Sequence, residues 1–376
     1  MGERKFPVHY ANFVCHFGDA ELLDYLDEIV VPAFLHGGVR TFKDGKYFFH
    51  SVQILNLGNV NNQPQMAICG RFVKDMVVRS EQRYDAVTDT VLPNNQKMET
   101  APSAIFSLLL ASHKLIYLLE TANAPGLESF RSTVNSFLGT ARINYIDDVQ
   151  KRSEIGSLTA EEAIRFPAIG VEEMSEAGEA LGDANLDDDQ PKKLTKKKLR
   201  QLLPPVNLEI VALSNDESLR AFVDRFQTLQ SATLRLVKPN SELDNDEFLA
   251  TVRVKANAVR SETSSLTYKN PDGLVKAQVV KQFEAAASEG NTEIKLDGKD
   301  QTGQTLRGSN NEFKVVSYLL SKPDGLPATA RSLLTLFKAQ RNSGLIKAPD
   351  HELNNRSKNR LAALAQQATG ASDGGA

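Results

Sequence analysis

The sequence predicts an α+β protein in which two α+β domains are separated by a charged connector. Its 376 residues suffice for two or three domains, each with a core of its own. The hydrophobic pattern has mainly the two-residue period of strands in the first half, and alternates between strand and helix periods in the second. A reversal of charge near the middle marks the boundary. We therefore expect domains at 1–146 and 206–342, a connector at 147–205, and a flexible polar tail at 343–376.

The first domain is expected to be rich in antiparallel strands, with helices at both ends. Leu22, Leu26 and Ile29 lie on one apolar stripe of a helix for which Asp19 is the N-cap. The Lys-Asp-Gly-Lys sequence at 43–46 is typical of a hairpin turn. In chain order we expect a strand at 8–17, a helix at 20–34, strands at 39–42, 47–55, 66–79, 84–92, 105–110 and 115–119, and a helix at 126–138.

Two runs of opposite charge define the connector. Every charged residue from Glu172 to Asp189 is acidic, and a basic cluster follows almost at once. Like charges repel one another and offer little apolar surface, so such runs seldom lie inside a packed domain. The basic cluster consists of Lys192, Lys193, Lys196, Lys197, Lys198 and Arg200.

The second domain is expected to contain a mixed sheet with helices on one face. Ser214 and Glu217 form a capping box that begins a helix, and Gly290 has the chemistry of a C-terminal cap. Asp297-Gly298 has the composition of a turn. In chain order we expect a strand at 208–213, a helix that includes Phe226, a strand at 233–237, a helix at 246–258, a strand at 262–268, a helix at 274–288, strands at 292–296, 304–307 and 313–320, and a helix at 328–340.

The composition excludes several classes of protein. Cys15 and Cys69 are the only cysteines, and their spacing matches neither a disulfide framework nor structural zinc. The longest apolar stretch, 104–119, is interrupted by polar residues at 112–114 and is too short to span a bilayer. The first residues lack the apolar core of a secretory signal. We expect a cytoplasmic protein without a membrane partner.

One arrangement of residues points to metal-dependent chemistry. Pro271-Asp272 followed by Glu293-Ile294-Lys295 is similar to the PD…ExK signature of a large nuclease superfamily, whose acidic residues bind Mg²⁺. There the motif lies on neighbouring strands, whereas a predicted helix separates its two parts here. We favour a Pro-Asp-Gly turn and an exposed ion pair. If the protein is instead a nuclease, its catalytic candidates are Asp272, Glu293 and Lys295. Only in that case do we expect a cofactor, which would be Mg²⁺.

The histidines do not form a recognisable site. No two of them have the four-residue spacing of a helical metal motif, and Cys15 and His16 would point apart on a strand. A phosphate-binding glycine loop, a nucleophile elbow and an HExxH motif are missing from the sequence. We expect ordinary structural roles for His9, His16, His36, His50 and His113.

The basic cluster is the remaining positive feature, because grouped lysines and arginines bind phosphates. A solvated helix or linker is the more common role of such a cluster. The adjacent acidic run can neutralise it, and no aromatic residues are interleaved for base stacking. We expect a non-catalytic protein that binds DNA, RNA or a protein partner, such as an accessory component of a mobile-element or antiviral defence system. The alternatives are a Mg²⁺-dependent nuclease of the PD-(D/E)xK type and a protein-binding subunit of a larger complex.

Overall fold

Two antiparallel β-sheets with packed helices form the protein in the computed structural model, which describes residues 4–43, 45–60, 63–85, 87–166, 195–238, 247–259, 261, 263–347 and 353–370. The fold is mixed α+β, as the sequence predicts. The strand pairs of the described residues are antiparallel in both sheets, which corrects the mixed sheet expected for the second half.

The larger sheet has ten strands in the described part of the chain. They are β1 (Phe6–Phe17), β2 (Ala20–Glu21), β3 (Val39–Phe42), β4 (Gly45–Val60), β5 (Gln63–Asp85), β6 (Thr90–Thr100), β7 (Ser103–Leu109), β8 (Lys114–Leu119), β9 (Asn207–Ala212) and β14 (Val316–Leu319). Seven of these strands follow the order β14-β1-β8-β7-β5-β4-β3. Of the other three, β2 and β9 pair with β1, and β6 pairs with β5.

The smaller sheet has four strands, in the order β11-β10-β12-β13. They are β10 (Phe226–Leu236), β11 (Ser264–Lys269), β12 (Thr292–Asp300) and β13 (Thr305–Ser309).

Nine α-helices lie within the described residues. They are α1 (Val31–His36), α2 (Leu127–Glu154), α3 (Ala160–Arg165), α4 (Lys196–Leu202), α5 (Asp216–Val223), α6 (Glu247–Ala258), α7 (Lys276–Glu289), α8 (Leu326–Asn342) and α9 (Asn355–Gly370). A 3₁₀ turn (Leu22–Tyr25) and a π-helical turn (Leu26–Val30) lead directly into α1, in the region where the sequence predicts a single helix.

The side chains of β1 alternate between two apolar cores, one on each face of the larger sheet. Phe13 and Cys15 lie in a core that also contains buried residues of α2, α4 and α9. Val8 and Tyr10 point to the opposite face, where they share a core with α8. This alternation is the geometry of a strand that is covered on both sides.

β1 also joins residues from both sides of the predicted connector. Its residues 6–9 pair with β14, and its residues 11–16 pair with β9. The sheet therefore draws strands from both of the predicted domains, and the division into two domains is not confirmed.

The smaller sheet carries its helices on one face, as predicted. Phe222 of α5, Leu249 of α6 and Phe283 of α7 share a core with inward-facing residues of β10 and β12, such as Ile294. α7 ends where the sequence predicts, because Gly290 adopts the left-handed conformation of a C-terminal cap, with φ +72°.

A buried polar contact joins the smaller sheet to β1. Asn12 Nδ2 donates to Asn291 Oδ1 at 2.6 Å, and Lys114 Nζ donates to Asn12 Oδ1 at the same distance. Val14 of β1 packs beside this contact against Val237, which follows β10. Because unpaired polar groups are costly to bury, the contact fixes the position of one sheet on the other.

Three local predictions in the second half need correction. Asp297-Gly298 is not a turn, because β12 continues to Asp300. Phe226 begins β10 rather than ending a helix. The N-cap of α5 is Asn215, whose Oδ1 accepts from the Ser218 N–H at 2.7 Å, one residue later than the predicted capping box.

Helices occupy parts of the predicted connector and of the predicted tail. α2 continues to Glu154, well past the expected end at residue 138, so the first part of the predicted connector is helical. The predicted flexible tail contains α9, whose Leu361 and Leu364 are buried in the core that α2 also lines. This segment has apolar residues at helical spacing, but its polar composition favours the prediction of a flexible tail.

Candidate nucleic-acid interface

The second half of the predicted basic cluster forms the short helix α4. Thr195 is its N-cap, since Thr195 Oγ1 accepts from the Lys198 N–H at 3.3 Å. Leu199 and Leu203 are fully buried in the core that α2 lines. The helix therefore lies fixed on the protein, with its apolar side inward.

Arg142 of α2 secures the other end of α4. Its Nε donates to the Leu203 carbonyl at 2.8 Å, its Nη2 donates to the same carbonyl, and Nη2 also reaches the Arg200 carbonyl at 3.4 Å. The last carbonyls of a helix have no partner within it and carry partial negative charge, so a guanidinium stabilises them.

The exposed side of α4 is basic. Lys196, Lys197 and Arg200 are exposed, whereas Lys198 is partly buried. Residues spaced by three and four positions are neighbours on a helix, so Arg200 lies beside both lysines.

Lys151 of α2 belongs to the same surface, although it lies far from the cluster in sequence. Lys196 Nζ lies 2.9 Å from Asp147 Oδ1, and this hydrogen bond lowers the pKa of the Asp147 carboxyl. The nearby charges of Lys151 and Arg200 act in the same direction. We call Lys151, Lys196, Lys197 and Arg200 the α2–α4 basic patch; the first, second and fourth of these lie near the Asp147 carboxylate.

The remaining residues of the charge reversal lie outside the described residues. These are Lys192, Lys193 and the acidic run from Glu172 to Asp189. The patch is therefore defined by α2 and α4 alone.

Glu293 and Lys295, two of the nuclease candidates, are neighbours on β12. Lys295 Nζ lies 3.3 Å from Glu293 Oε1. The other oxygen, Oε2, accepts from Arg235 Nε of β10 at 2.6 Å. Burial raises the pKa of Glu293, but the hydrogen bond from Arg235 and the adjacent positive charges outweigh it and lower the pKa. Glu293 is thus engaged in ion pairs.

Asp272, the third candidate, lies towards the opposite end of the smaller sheet. β10 has a bulge at 229–231. There Gln230 Nε2 donates to the carbonyl of Pro271, in the turn that contains Asp272, at 2.9 Å. Glu293 faces Arg235, five residues further along β10. At about 3.3 Å per residue, the two acidic residues are separated by roughly 17 Å of strand. The structure does not bring Asp272 to the other two side chains.

The histidines are dispersed over the larger sheet and its loops. Burial, reinforced by the positive charge of Lys314, lowers the pKa of His9 to about 4. His16 Nε2 lies 3.3 Å from the Lys238 carbonyl, and His50 Nδ1 lies 3.0 Å from Ser51 Oγ. His113 is buried in the turn before β8, and His36 is exposed at the end of α1.

Neither a metal cluster nor a spanning helix is found in the part of the chain that the structure describes. No three His, Cys, Asp or Glu side chains there are grouped as metal ligands are. None of the described helices combines the length and the apolar composition that crossing a membrane requires.

Comparison with known proteins assigns no family: no protein-family model and no curated protein sequence matches the chain. The candidate interface therefore rests on its own geometry. Sequence reasoning found α4 from its charges, but it missed Lys151, Asp147 and Arg142, which lie about 50 residues earlier. The buried Leu199 and Leu203 were the available signal that α4 is packed against another element.

Proposed function

We propose that the protein is a non-catalytic binder of nucleic acid that holds the phosphate backbone at the α2–α4 basic patch. One observation carries this proposal: three exposed cations on two packed helices, Lys151, Lys196 and Arg200, lie near the carboxylate of Asp147, and Lys197 adds a fourth exposed charge on α4. A surface on which cations outnumber anions attracts phosphates and releases their counterions.

The arrangement favours contacts with the backbone rather than with bases. Lysines and arginines on a helix surface can each reach a phosphate, and such contacts carry no sequence information. Because Arg142, Leu199 and Leu203 hold α4 in place, the cations are positioned before the ligand arrives. Preorganisation of this kind reduces the entropy lost on binding.

The size of the patch sets the expected salt dependence. Three to four phosphate contacts give a slope of about −3 in log K against log salt. Affinity for a DNA duplex should therefore fall roughly 40- to 150-fold between 50 and 200 mM salt.

The test is a fluorescence-anisotropy titration with labelled duplex DNA, single-stranded DNA and RNA over this salt range. The triple variant K151Q/K196Q/R200Q should lose most of the affinity and flatten the salt slope. The matched control K269Q/K281Q/K299Q removes the same charge from exposed residues of the smaller sheet and its helix. If both variants lose the same affinity, or if binding does not respond to salt, the patch is not the nucleic-acid-binding site.

The same titration with and without Mg²⁺ separates binding from the nuclease alternative. Intact nucleic acid after incubation with Mg²⁺ is the expected result. Cleavage that disappears in Glu293→Ala would instead favour a metal-dependent enzyme.

A further inference from the structure

β14 forms one edge of the larger sheet. It stands last in the strand order, and among the strands that the structure describes it pairs with β1 alone. Val316, its first residue, lies opposite His9, and Leu319, its last, lies opposite Phe6. The outer side of such a strand carries backbone N–H and C=O groups that no neighbouring strand satisfies.

The free backbone groups of β14 belong to Val316 and Tyr318. In an antiparallel pair, alternate residues direct their N–H and C=O groups to the same neighbour. The Val315 N–H donates to the Leu213 carbonyl at 2.8 Å, and the Leu213 N–H donates to the Tyr10 carbonyl of β1. Since the Val315 N–H points towards β1, the N–H groups one and three residues later point away from it. The residue opposite Tyr318 in β1 is a proline, which has no N–H to exchange.

The side chains on the open face of this edge are large and apolar. Val316, Tyr318 and Leu320 are 38%, 54% and 60% exposed. They lie on the same face, because side chains alternate between the two faces of a strand. Ser317 is buried and lies opposite Val8, which shares a core with α8. The three apolar side chains are therefore on the other face, in contact with solvent.

β14 lacks most of the features that keep an edge strand from pairing. A charged residue, a proline or a bulge usually protects such an edge. From Val315 to Ser321 no residue is charged and none is proline, and the pairing with β1 shows no shift of register. The edge strand at the other end of the sheet, β3, contains Arg40 and is followed by Lys43. β14 is short, with four residues, but it is open to an uncharged, extended strand.

A second copy of this chain supplies such a strand. In an antiparallel pairing about a two-fold axis at Tyr318, the two Tyr318 side chains lie opposite each other. Each Val316 then lies opposite Leu320 of the partner subunit. Aromatic and aliphatic side chains stabilise a sheet in such directly opposed positions, and no like charges meet. The register also brings the free N–H and C=O groups of the two strands together, so the contact is self-complementary.

We propose that β14 is a dimerisation surface, at which two copies of the chain join their larger sheets through residues 316–320. A contact of five residues a side is much smaller than the roughly 20–30 of a stable interface, so we expect a dissociation constant of about 1–100 µM. The contact uses none of the residues of the α2–α4 basic patch, so it does not depend on the proposed function.

The test is sedimentation equilibrium of the full chain from about 1 to 300 µM, a range that spans the expected dissociation constant. The mean mass should rise from 41.3 kDa towards twice this value. Tyr318→Lys sets two like charges opposite each other at the axis, and should weaken dimerisation at least about 10-fold. Val39→Lys is the matched control, because Val39 is an exposed apolar residue of β3 at the opposite edge, and it should leave dimerisation unchanged.

A cross-link covers the case in which Tyr318→Lys unfolds the protein. The Cα atoms of two residues in a hydrogen-bonded antiparallel pair are about 5.5 Å apart, a separation that a disulfide spans. Tyr318→Cys should therefore give a disulfide-linked dimer on oxidation, whereas Val39→Cys should remain a monomer on a non-reducing gel. Cys15 and Cys69 do not interfere, because both are buried.

Three results would overturn the proposal. The first is a wild-type chain that stays monomeric at the highest concentration, and the second is dimerisation that a folded Tyr318→Lys variant retains in full. The third is cross-linking of Val39→Cys to the same extent as Tyr318→Cys, which would mean that the chains meet without a preferred edge.

Discussion

Arg235 on β10 lies 3.2 Å from the Glu209 carboxylate on β9, so one ion pair joins the smaller sheet to the larger one. The pair belongs to a continuous ladder of alternating charge. Its members, in order, are Glu128, Arg131, Glu209, Arg235, Glu293 and Lys295. Arg235 pairs with one carboxylate on each sheet, Glu209 on β9 and Glu293 on β12.

Arg235→Met is expected to destabilise the protein by about 2 kcal/mol, because two carboxylates that are about three-quarters buried lose their shared cation. Chemical denaturation measures the effect. The control is Arg307→Met, whose ion pair with Asp297 on the same sheet is exposed and should contribute less than about 0.5 kcal/mol. Equal effects would show that the sheets are held together without the ladder.

Glu120 should make the stability of the larger sheet depend on pH. Burial alone raises the pKa of its carboxyl, but hydrogen bonds from Arg71, Lys322 and Ser103 outweigh burial and lower the pKa from 4.5 to about 2. The folded state thus favours the carboxylate. This stabilisation is complete above about pH 4.5, the unfolded value, and is lost as the pH falls towards 2.

Urea denaturation of the wild type and Glu120→Gln between pH 6 and pH 2.5 checks this dependence. The variant should be less stable by about 2 kcal/mol at pH 6, and the difference should shrink as the pH falls. A difference that stays constant with pH would contradict an ionised, hydrogen-bonded Glu120.

Two glycine-to-alanine substitutions should have opposite effects. A Cβ on Gly298 would lie 2.2 Å from the Thr228 carbonyl oxygen and 3.0 Å from the Gln230 nitrogen, because the bulge of β10 approaches β12 at this point. Gly298→Ala should cost more than about 2 kcal/mol. Gly139→Ala in α2, where a Cβ meets no atom within 4 Å, should stabilise by about 0.5–1 kcal/mol. Thermal unfolding of both variants measures whether the first is less stable and the second more stable than the wild type.

Arg142→Leu should loosen α4 without unfolding the protein. Removal of the guanidinium leaves the carbonyls of Arg200 and Leu203 without their donor, so the end of α4 should fray. Hydrogen–deuterium exchange at 198–203 should accelerate at least 10-fold, with exchange in β7 and β8 unchanged. Arg220→Leu in α5 is the control. Unchanged exchange in α4 would mean that Leu199 and Leu203 alone fix this helix.

Both thiols should be unreactive in the folded protein. Cys15 and Cys69 are fully buried, and burial raises the pKa of both, that of Cys69 to about 12. Since the thiolate is the reactive species, a disulfide reagent at pH 8 should modify neither residue until denaturant is added. Rapid modification of the native protein would place one of these thiols at the surface.

Local features of the fold were predictable, because they depend on neighbours in sequence. The hairpin of β7 and β8 and the end of α7 at Gly290 followed from apolar runs and from a left-handed cap. The prediction of a turn at Gly298 is wrong, because glycine occurs both in turns and where two backbones approach closely. Only the position of β10 distinguishes these two uses.

The features that define the candidate sites are non-local. Lys151 and Lys196 both lie near Asp147 because α4 packs on α2, and no periodicity within either helix specifies that arrangement. The charged residues are visible in the sequence. Which of them share a surface depends on how helices that are far apart in the chain pack together.

The pairing of β1 with β14 governs the order in which the chain can fold during its synthesis. Residues 6–9 leave the ribosome before their partners at 316–319, which follow about 300 residues later. At 5–20 residues per second this delay is roughly 15–60 s. Throughout it, one edge of an apolar strand remains open to pairing with other chains. This pairing can form only after residue 319 has been synthesised, and a chain that stops before residue 316 leaves that edge exposed.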